Sequence, residues 1–128
     1  MAKSSDSQRE IVVGVDDIFF AAKIDGAASA AGVRIVRIKT ARDLIAHVEE
    51  NGARLIIIDI NSASLDPIRT IRYLKSKPEL KAIPIIGFLS HVQVDLMNTA
   101  QEAGCDHVMP RSAFSRRLPE LLSKPFAQ

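Results

Sequence analysis

The stretch LIIIDINSASLD, residues 55–66, decides the fold of this chain. Four apolar residues in succession lead to one carboxylate, Asp59, and mostly polar residues follow it. A short apolar run without polar alternation is typical of a strand that is buried on both faces, as in a parallel sheet covered by helices. The pattern therefore predicts a central strand that carries Asp59 to the edge of such a sheet.

Similar apolar runs recur on both sides of this stretch and alternate with segments of helical spacing. Strands are predicted at 11–15, 33–38, 54–60, 83–89 and 106–109, and helices at 16–32, 40–52, 65–77, 91–104 and within 113–124. Strands that are apolar on both faces and alternate with helices predict an α/β fold. Because crossovers between parallel strands are right-handed, we expect a flavodoxin-like (βα)5 doubly wound parallel five-stranded sheet with strand order 2-1-3-4-5.

Local signals mark several helix ends. Thr40 is placed to cap the second helix, Gly52 is placed to end it, and Pro67 suits the first turn of the third. Pro119 belongs near a first turn, because proline removes a backbone donor from a helix interior. The last helix is therefore expected to begin close to Ser115. Its apolar stripe is expected to face the core and consists of Phe114, Leu118, Leu121 and Leu122.

Length and composition indicate one domain of ordinary globular type. The 128 residues are 47% apolar and 25% charged. We assign 1–9 to a disordered tail, 10–124 to the domain and 125–128 to a frayed C-terminus. The formal net charge of +2 is too balanced to indicate nucleic acid or a membrane surface as the main partner. The single cysteine, Cys105, excludes an internal disulfide and is expected to be a small buried hydrophobe in a cytoplasmic protein.

Three carboxylates are expected to meet at one edge of the sheet. Asp16 and Asp17 follow the first strand and Asp59 ends the third; in a doubly wound sheet these strand ends flank the switch point where ligands bind. Clustered carboxylates repel one another unless a cation shares them, and Mg²⁺ is the hard divalent ion that suits oxygen ligands. The alternative is that Asp16 or Asp17 only caps the first helix. For either aspartate alone the cap is favoured; for all three together the cation site is favoured.

Several motifs of the chain resemble the receiver domain of bacterial two-component response regulators. They are VVGVDD, LIIIDI, LD at 65–66, IPIIGF and EAGCDHV, and the likeness covers roughly residues 10–124. The resemblance implies that Asp16 and Asp17 are the metal-binding acidic pair and that Asp59 is the phosphorylated aspartate. It also implies that the backbone carbonyl of Asn61 is a metal ligand and that Mg²⁺ is the cofactor.

The residues that sense phosphate in this family are altered. Leu89 stands where the family has a Thr or Ser at the end of strand 4, and Ser90 follows it. Ser90 is either a substitute switch hydroxyl or, the favoured reading, a cap for the fourth helix. Arg111 stands where the family has Lys, and Ser112 where it has Pro. Arg111 is either a phosphate clamp, since its planar fork pairs with phosphate, or a solvated surface residue.

Two further departures point the same way. Val108 occupies the position where many receivers place a Tyr or Phe that reports switching, and Ser62 and Ala63 replace the usual Met-Pro pair. An intact acidic half with an altered sensing half is typical of an atypical receiver, or pseudo-receiver.

The expected function is that of a stand-alone receiver-like signal-transduction protein of a two-component phosphorelay, with Asp59 as its phosphoacceptor. The alternative is a phosphate-independent interaction module. The expected partner is a histidine kinase or another signalling protein that contacts helices 4 and 5. Formation of a weak homodimer is a further possibility that the sequence leaves undecided. No enzyme activity beyond accepting a phosphoryl group is expected, because neither GxGxxG nor GxxxxGK[ST] occurs. Neither direct nucleic-acid binding nor membrane insertion is expected.

Overall fold

The computed structural model describes residues 10–123 as five strands that alternate with five helices. In chain order these are β1 (Ile11–Gly14), α1 (Ile18–Ala31), β2 (Ile35–Ile38), α2 (Ala41–Asn51), β3 (Leu55–Asp59), α3 (Pro67–Ser76), β4 (Ile85–Leu89), α4 (Val94–Ala103), β5 (His107–Pro110) and α5 (Arg111–Ser123). A short 3₁₀ turn, Ala63–Leu65, joins β3 to α3. The predicted tail 1–9 and frayed end 125–128 lie outside the described residues.

All five strands are parallel, and their order across the sheet is β2-β1-β3-β4-β5. This confirms the predicted topology. The register pairs Gly14 with Ile58 and Asp59 with Phe88, so that the ends of β1, β3 and β4 meet at one edge. That edge is the switch point of the sheet, where β1 lies between strands reached by opposite crossovers.

Helices cover both faces of the sheet, which explains the continuous apolar runs. On β3, Ile57 packs into the core under α1 and α5, whereas Ile56 and Ile58 pack into the core on the opposite face. The first core contains a group of three aromatic rings. The ring centroids of Phe20 and Phe88 are 4.9 Å apart, and those of Phe88 and Phe114 are also 4.9 Å apart.

The predicted helix ends are confirmed for α2 and α3. The Oγ1 atom of Thr40 accepts a hydrogen bond from the Asp43 N–H at 3.2 Å, and Gly52 follows the last residue of α2. Pro67 is the first residue of α3. Cys105 is 5% exposed, as predicted, and burial raises its pKa to about 12.

The start of α5 was predicted wrongly. The helix begins at Arg111 rather than near Ser115, and Pro119 lies inside it. Proline removes one donor from the helical ladder, but the side chain of Pro119 is exposed, where water can replace the lost bond. Burial of the predicted stripe, which is Phe114, Leu118, Leu121 and Leu122, holds the longer helix against the sheet.

Between residues 10 and 123, none of the helices is both long enough and apolar enough to cross a membrane.

Candidate functional site

Asp59 lies at the centre of the switch-point edge and is almost fully enclosed. Its side chain is only 6% exposed. The Asn61 N–H donates a hydrogen bond of 2.9 Å to its Oδ1 atom, and the Nη2 atom of Arg111 lies 3.9 Å from its Oδ2 atom. Burial raises the pKa of this carboxyl above its usual range, although the Asn61 N–H and the Arg111 charge oppose that shift. Asp59 is therefore a desolvated carboxylate with one cation in reach.

Asp17 caps α1, as the alternative in the sequence analysis proposed. Its Oδ1 atom accepts hydrogen bonds from the Phe19 N–H at 2.9 Å and from the Phe20 N–H at 3.2 Å. Its Oδ2 atom accepts a third from the Nη1 atom of Arg111 at 3.4 Å. Donation by the Phe20 N–H is the main reason that the pKa of Asp17 is lowered. Both carboxylate oxygens of Asp17 are thus in use.

Asp16 is held by the loop that follows β3. Its Oδ2 atom accepts hydrogen bonds from the Ser62 hydroxyl at 3.0 Å and from the Ser64 hydroxyl at 2.9 Å. Ser64 also lies 2.8 Å from the carbonyl of Lys39. Ser62, which stands where receivers usually have Met, is buried. These contacts tie the end of β1 to the β3–α3 loop.

Arg111 extends over the aromatic core toward the carboxylates. Its guanidinium carbon lies 4.5 Å from the ring centroid of Phe20 and 5.6 Å from that of Phe88. From this seat the two terminal nitrogens reach Asp17 and Asp59. The side chain is 31% exposed, and its Nε atom is buried with no hydrogen-bond partner among the described residues. Stacking on rings suits guanidinium, which is more weakly hydrated than ammonium.

Leu89 and Ser90 do not provide a hydroxyl aimed at Asp59. Leu89 is fully buried in the core. The backbone N–H and the hydroxyl of Ser90 both donate to the Oδ1 atom of Asn61, at 2.7 and 2.8 Å. The favoured prediction that Ser90 caps α4 was wrong, because the cap position is Gln93 and α4 begins three residues later than predicted. Ser90 binds the side chain of Asn61 instead. The amide nitrogen of Asn61 in turn donates to the Oε1 atom of Gln93 at 3.0 Å.

The predicted site residues thus meet at one edge, but they do not form a cation cage. Within residues 10–123 no three Asp, Glu, His or Cys side chains are arranged to hold a metal ion. The reason is local: two serines engage Asp16, the α1 backbone engages Asp17, and Arg111 lies between Asp17 and Asp59. The predicted roles of Asp59 as phosphoacceptor and of Asn61 as a carbonyl ligand stay predictions.

Three residues that contact the site residues, Ser64, Phe20 and Phe88, were not predicted from the sequence. Ser64 has a readable signal, because it belongs to the NSAS run that leaves β3 at the same edge as Asp16. Phe20 and Phe88 fall within a predicted helix and a predicted strand, and no role at the site is predicted for them. Nothing in the apolar periodicity indicates that they lie under Arg111, since that contact depends on where α5 begins.

Comparison with solved structures places this fold among response regulators. A response regulator from Hahella chejuensis matches with a TM-score of 0.84 at 17% identity, covering 94% of this chain and 99% of that one. The phosphorylated cyanobacterial phytochrome response regulator RcpA matches with a TM-score of 0.77 at 19% identity, covering 91% and 89%. The Mn²⁺-bound form of response regulator Rcp1 matches with a TM-score of 0.75 at 15% identity, covering 90% and 89%.

No protein-family model matches the sequence, and no curated protein is significantly similar to it. At these identities the structural likeness establishes the fold. The chain therefore has the CheY-like, flavodoxin-type fold of response-regulator receiver domains.

Proposed function

We propose that this protein is a receiver-type signalling module of a two-component system, in which Asp59 accepts a phosphoryl group and the response passes to another protein by contact. The observation that carries the proposal is the position of Arg111, whose guanidinium lies 3.9 Å from the Asp59 carboxylate. A cation beside the acceptor is what phosphoryl transfer needs, because positioning and charge stabilisation supply most of its catalysis. The fold shared with phosphorylated RcpA supports the same reading.

The chemical step requires only groups that this edge offers and a phosphoryl donor. An oxygen of Asp59 attacks the phosphorus of the donor, a phosphohistidine or a small acyl phosphate. The bond from phosphorus to the donor breaks, and the leaving group keeps the electron pair. Arg111 then faces the phosphoryl oxygens with a planar pair of N–H donors. The protein acts as a phosphoryl acceptor rather than as an enzyme with a separate substrate.

Mg²⁺ held by Asp16, Asp17, Asp59 and the Asn61 carbonyl remains a proposal. The oxygen donors suit a hard cation chemically, and Rcp1, which shares the fold, has been solved with Mn²⁺. The carboxylates would first have to leave their present partners, the two serines, the α1 backbone and Arg111.

Protein contact is the proposed output because large apolar side chains are exposed beside the site. Ile18 and Phe19 follow Asp17 and are 61% and 84% exposed, and Val92 and Val94 follow the end of β4 and are each 62% exposed. Exposed apolar groups near a functional edge are typical of interaction surfaces. Contact through α4 and α5, a cytoplasmic location and a weak homodimer stay predictions.

A phosphate-independent module is the second candidate, and one observation favours it. Leu89 has no hydroxyl, and the Ser90 hydroxyl donates to Asn61 at 2.8 Å. Neither side chain at the end of β4 therefore has a free hydroxyl that could hydrogen-bond a phosphoryl group on Asp59.

Intact-mass measurement after incubation with acetyl phosphate or phosphoramidate and excess Mg²⁺ tests the proposal. We expect the mass of one added phosphoryl group on the wild type and none on Asp59→Asn. Asp66→Asn is the matched control, because Asp66 is an exposed aspartate in the next loop whose φ of 41° asparagine tolerates. A wild-type protein that gains no mass would contradict phosphorylation of Asp59 and would support the phosphate-independent module. NMR shifts with beryllofluoride that stay near the three aspartates would indicate phosphate binding without a relay.

A further inference from the structure

The switch-point edge concentrates negative charge that something must balance. Asp16, Asp17 and Asp59 lie at adjoining strand ends, and Asp59 is nearly buried. Enclosed carboxylates without a counter-ion repel one another and lose solvation. A bound divalent cation is one solution. A cationic side chain of the protein is another.

Arg111 already fills the position between two of these carboxylates. Its Nη1 atom is 3.4 Å from Oδ2 of Asp17, and its Nη2 atom is 3.9 Å from Oδ2 of Asp59. One guanidinium therefore bridges the aspartate that caps α1 and the aspartate that ends β3. Any ion shared by the same two carboxylates would have to approach this charge closely.

The aromatic core beneath holds the guanidinium in that position. Phe20 comes from the first turn of α1 and Phe88 from β4, next to Asp59 in the sheet register. The rings lie 4.5 and 5.6 Å from the guanidinium carbon. A flat, weakly hydrated cation gains from such contact, whereas a compact ammonium on a flexible stem gains less and moves away more easily. The buried Nε atom fits a side chain laid along the core.

The third carboxylate is turned toward a different partner. Ser62 and Ser64 donate to the same oxygen of Asp16, at 3.0 and 2.9 Å. Asp16 therefore anchors the β3–α3 loop, and Arg111 places one positive charge against the remaining pair of carboxylates. Each acidic group has a partner from the protein.

We propose that Arg111 is the resident cation of this site, so that the resting protein binds Mg²⁺ weakly and a divalent ion can enter only when the guanidinium leaves its aromatic seat. The inference concerns the site of the proposed function but needs no phosphorylation. It makes Arg111 a built-in competitor of the metal as well as a substitute for the family's lysine.

Titration of the full chain with MgCl₂, without a phosphoryl donor and at constant ionic strength, tests this proposal. Amide shifts of Asp16, Asp17 and Asp59 report binding. We expect no saturation of these shifts in the wild type at about 10 mM Mg²⁺, and an apparent Kd roughly tenfold or more lower in Arg111→Met, since one positive charge a few ångströms from the ion has been removed. Arg117→Met is the matched control, because Arg117 is an exposed arginine of α5 that pairs only with Glu120 among the described residues.

The wild-type titration keeps the proposal falsifiable even if Arg111→Met does not fold. Saturation of the wild type at about 1 mM Mg²⁺ would overturn it, as would equal affinities of wild type and Arg111→Met, or no binding by either. Because no phosphoryl donor is present, failure here leaves Asp59 phosphorylation open. A failed phosphorylation assay would equally leave the Mg²⁺ result intact.

Discussion

Gly87 leaves room for the side chain of Ile60, which directly follows Asp59. A Cβ atom added at this position of β4 would lie 2.6 Å from Cδ1 and 2.8 Å from Cγ1 of Ile60, and 3.2 Å from Sγ of Cys105. The first two separations are shorter than real Cβ contacts, so Ile60 would have to move. Ile60 is 3% exposed and lies between Asp59 and Asn61 in the sequence. Gly87→Ala therefore tests whether close packing of β4 against Ile60 limits the stability of the domain.

Two opposing effects determine the size of the change. Overpacking of a filled core costs about 1–3 kcal/mol, whereas replacing glycine reduces the entropy of the unfolded chain and returns about 0.4–1 kcal/mol. We expect the free energy of unfolding to fall by about 1–2 kcal/mol, which is a Tm decrease of about 4–8 °C for a domain of this size. The clash dominates because both close atoms belong to a fully packed side chain.

A double-mutant cycle with Ile60→Ala identifies the cause. Ile60→Ala alone removes a buried side chain and should cost about 2–5 kcal/mol. In that background the added methyl group enters the vacated space, so Gly87→Ala should cost close to nothing. Gly26→Ala is the control: no heavy atom lies within 4 Å of its added Cβ, so α1 should gain about 0.5–1 kcal/mol. Urea denaturation measures all five proteins. An equal cost of Gly87→Ala in both backgrounds would refute the steric explanation.

Three other substitutions separate burial, exposure and capping. Asp59→Asn should raise the Tm at about pH 7.5, because burial raises the folded-state pKa of Asp59 and ionisation of its carboxyl therefore opposes folding. This increase in Tm should disappear as the pH falls through the folded-state pKa of Asp59. An unchanged Tm at neutral pH would mean that attraction to Arg111 offsets the cost of burial. Phe19→Ser should change the free energy of unfolding by less than about 0.5 kcal/mol, since the ring is 84% exposed. The same substitution should lower the affinity for a protein partner that binds this surface. A large loss of stability in calorimetry would contradict the assignment of Phe19 to an interaction surface. Thr40→Ala should cost about 1 kcal/mol by removing the Asp43 N–H cap, and an unchanged urea midpoint would show that the cap is dispensable.

The apolar pattern predicted the fold because burial sums over many residues. Residues 55–58 and their counterparts in the other strands leave few alternatives to a covered parallel sheet. The order of strands then follows from the handedness of crossovers, and the meeting of three aspartates at one edge follows from the order. Capping by Thr40 was predictable because it depends on residues close in sequence.

The orientation of the site side chains could not be predicted in the same way. Whether Ser90 faces a helix end or Asn61 is decided by a few hydrogen bonds, each contributing about 1 kcal/mol, between groups that are 29 residues apart. The seat of Arg111 depends on α5 starting at that residue, and the presence of Pro119 argued for a later start. Burial of the α5 stripe outweighed the single backbone bond that proline removes.

The buried Cys105 allows local opening near β5, at the outer edge of the sheet, to be measured at a native side chain. Cys105 is the sole thiol of the chain, and its Sγ atom donates toward the carbonyl of His107 at 3.2 Å, between α4 and β5. A pKa of about 12 keeps its thiolate fraction roughly a thousandfold below that of a free cysteine at neutral pH. Because Cys105 is also only 5% exposed, we expect alkylation to depend on transient local opening of the segment between α4 and β5. Ligands, phosphoryl donors and protein partners can then be ranked by how far they slow the alkylation of Cys105 in the wild-type protein.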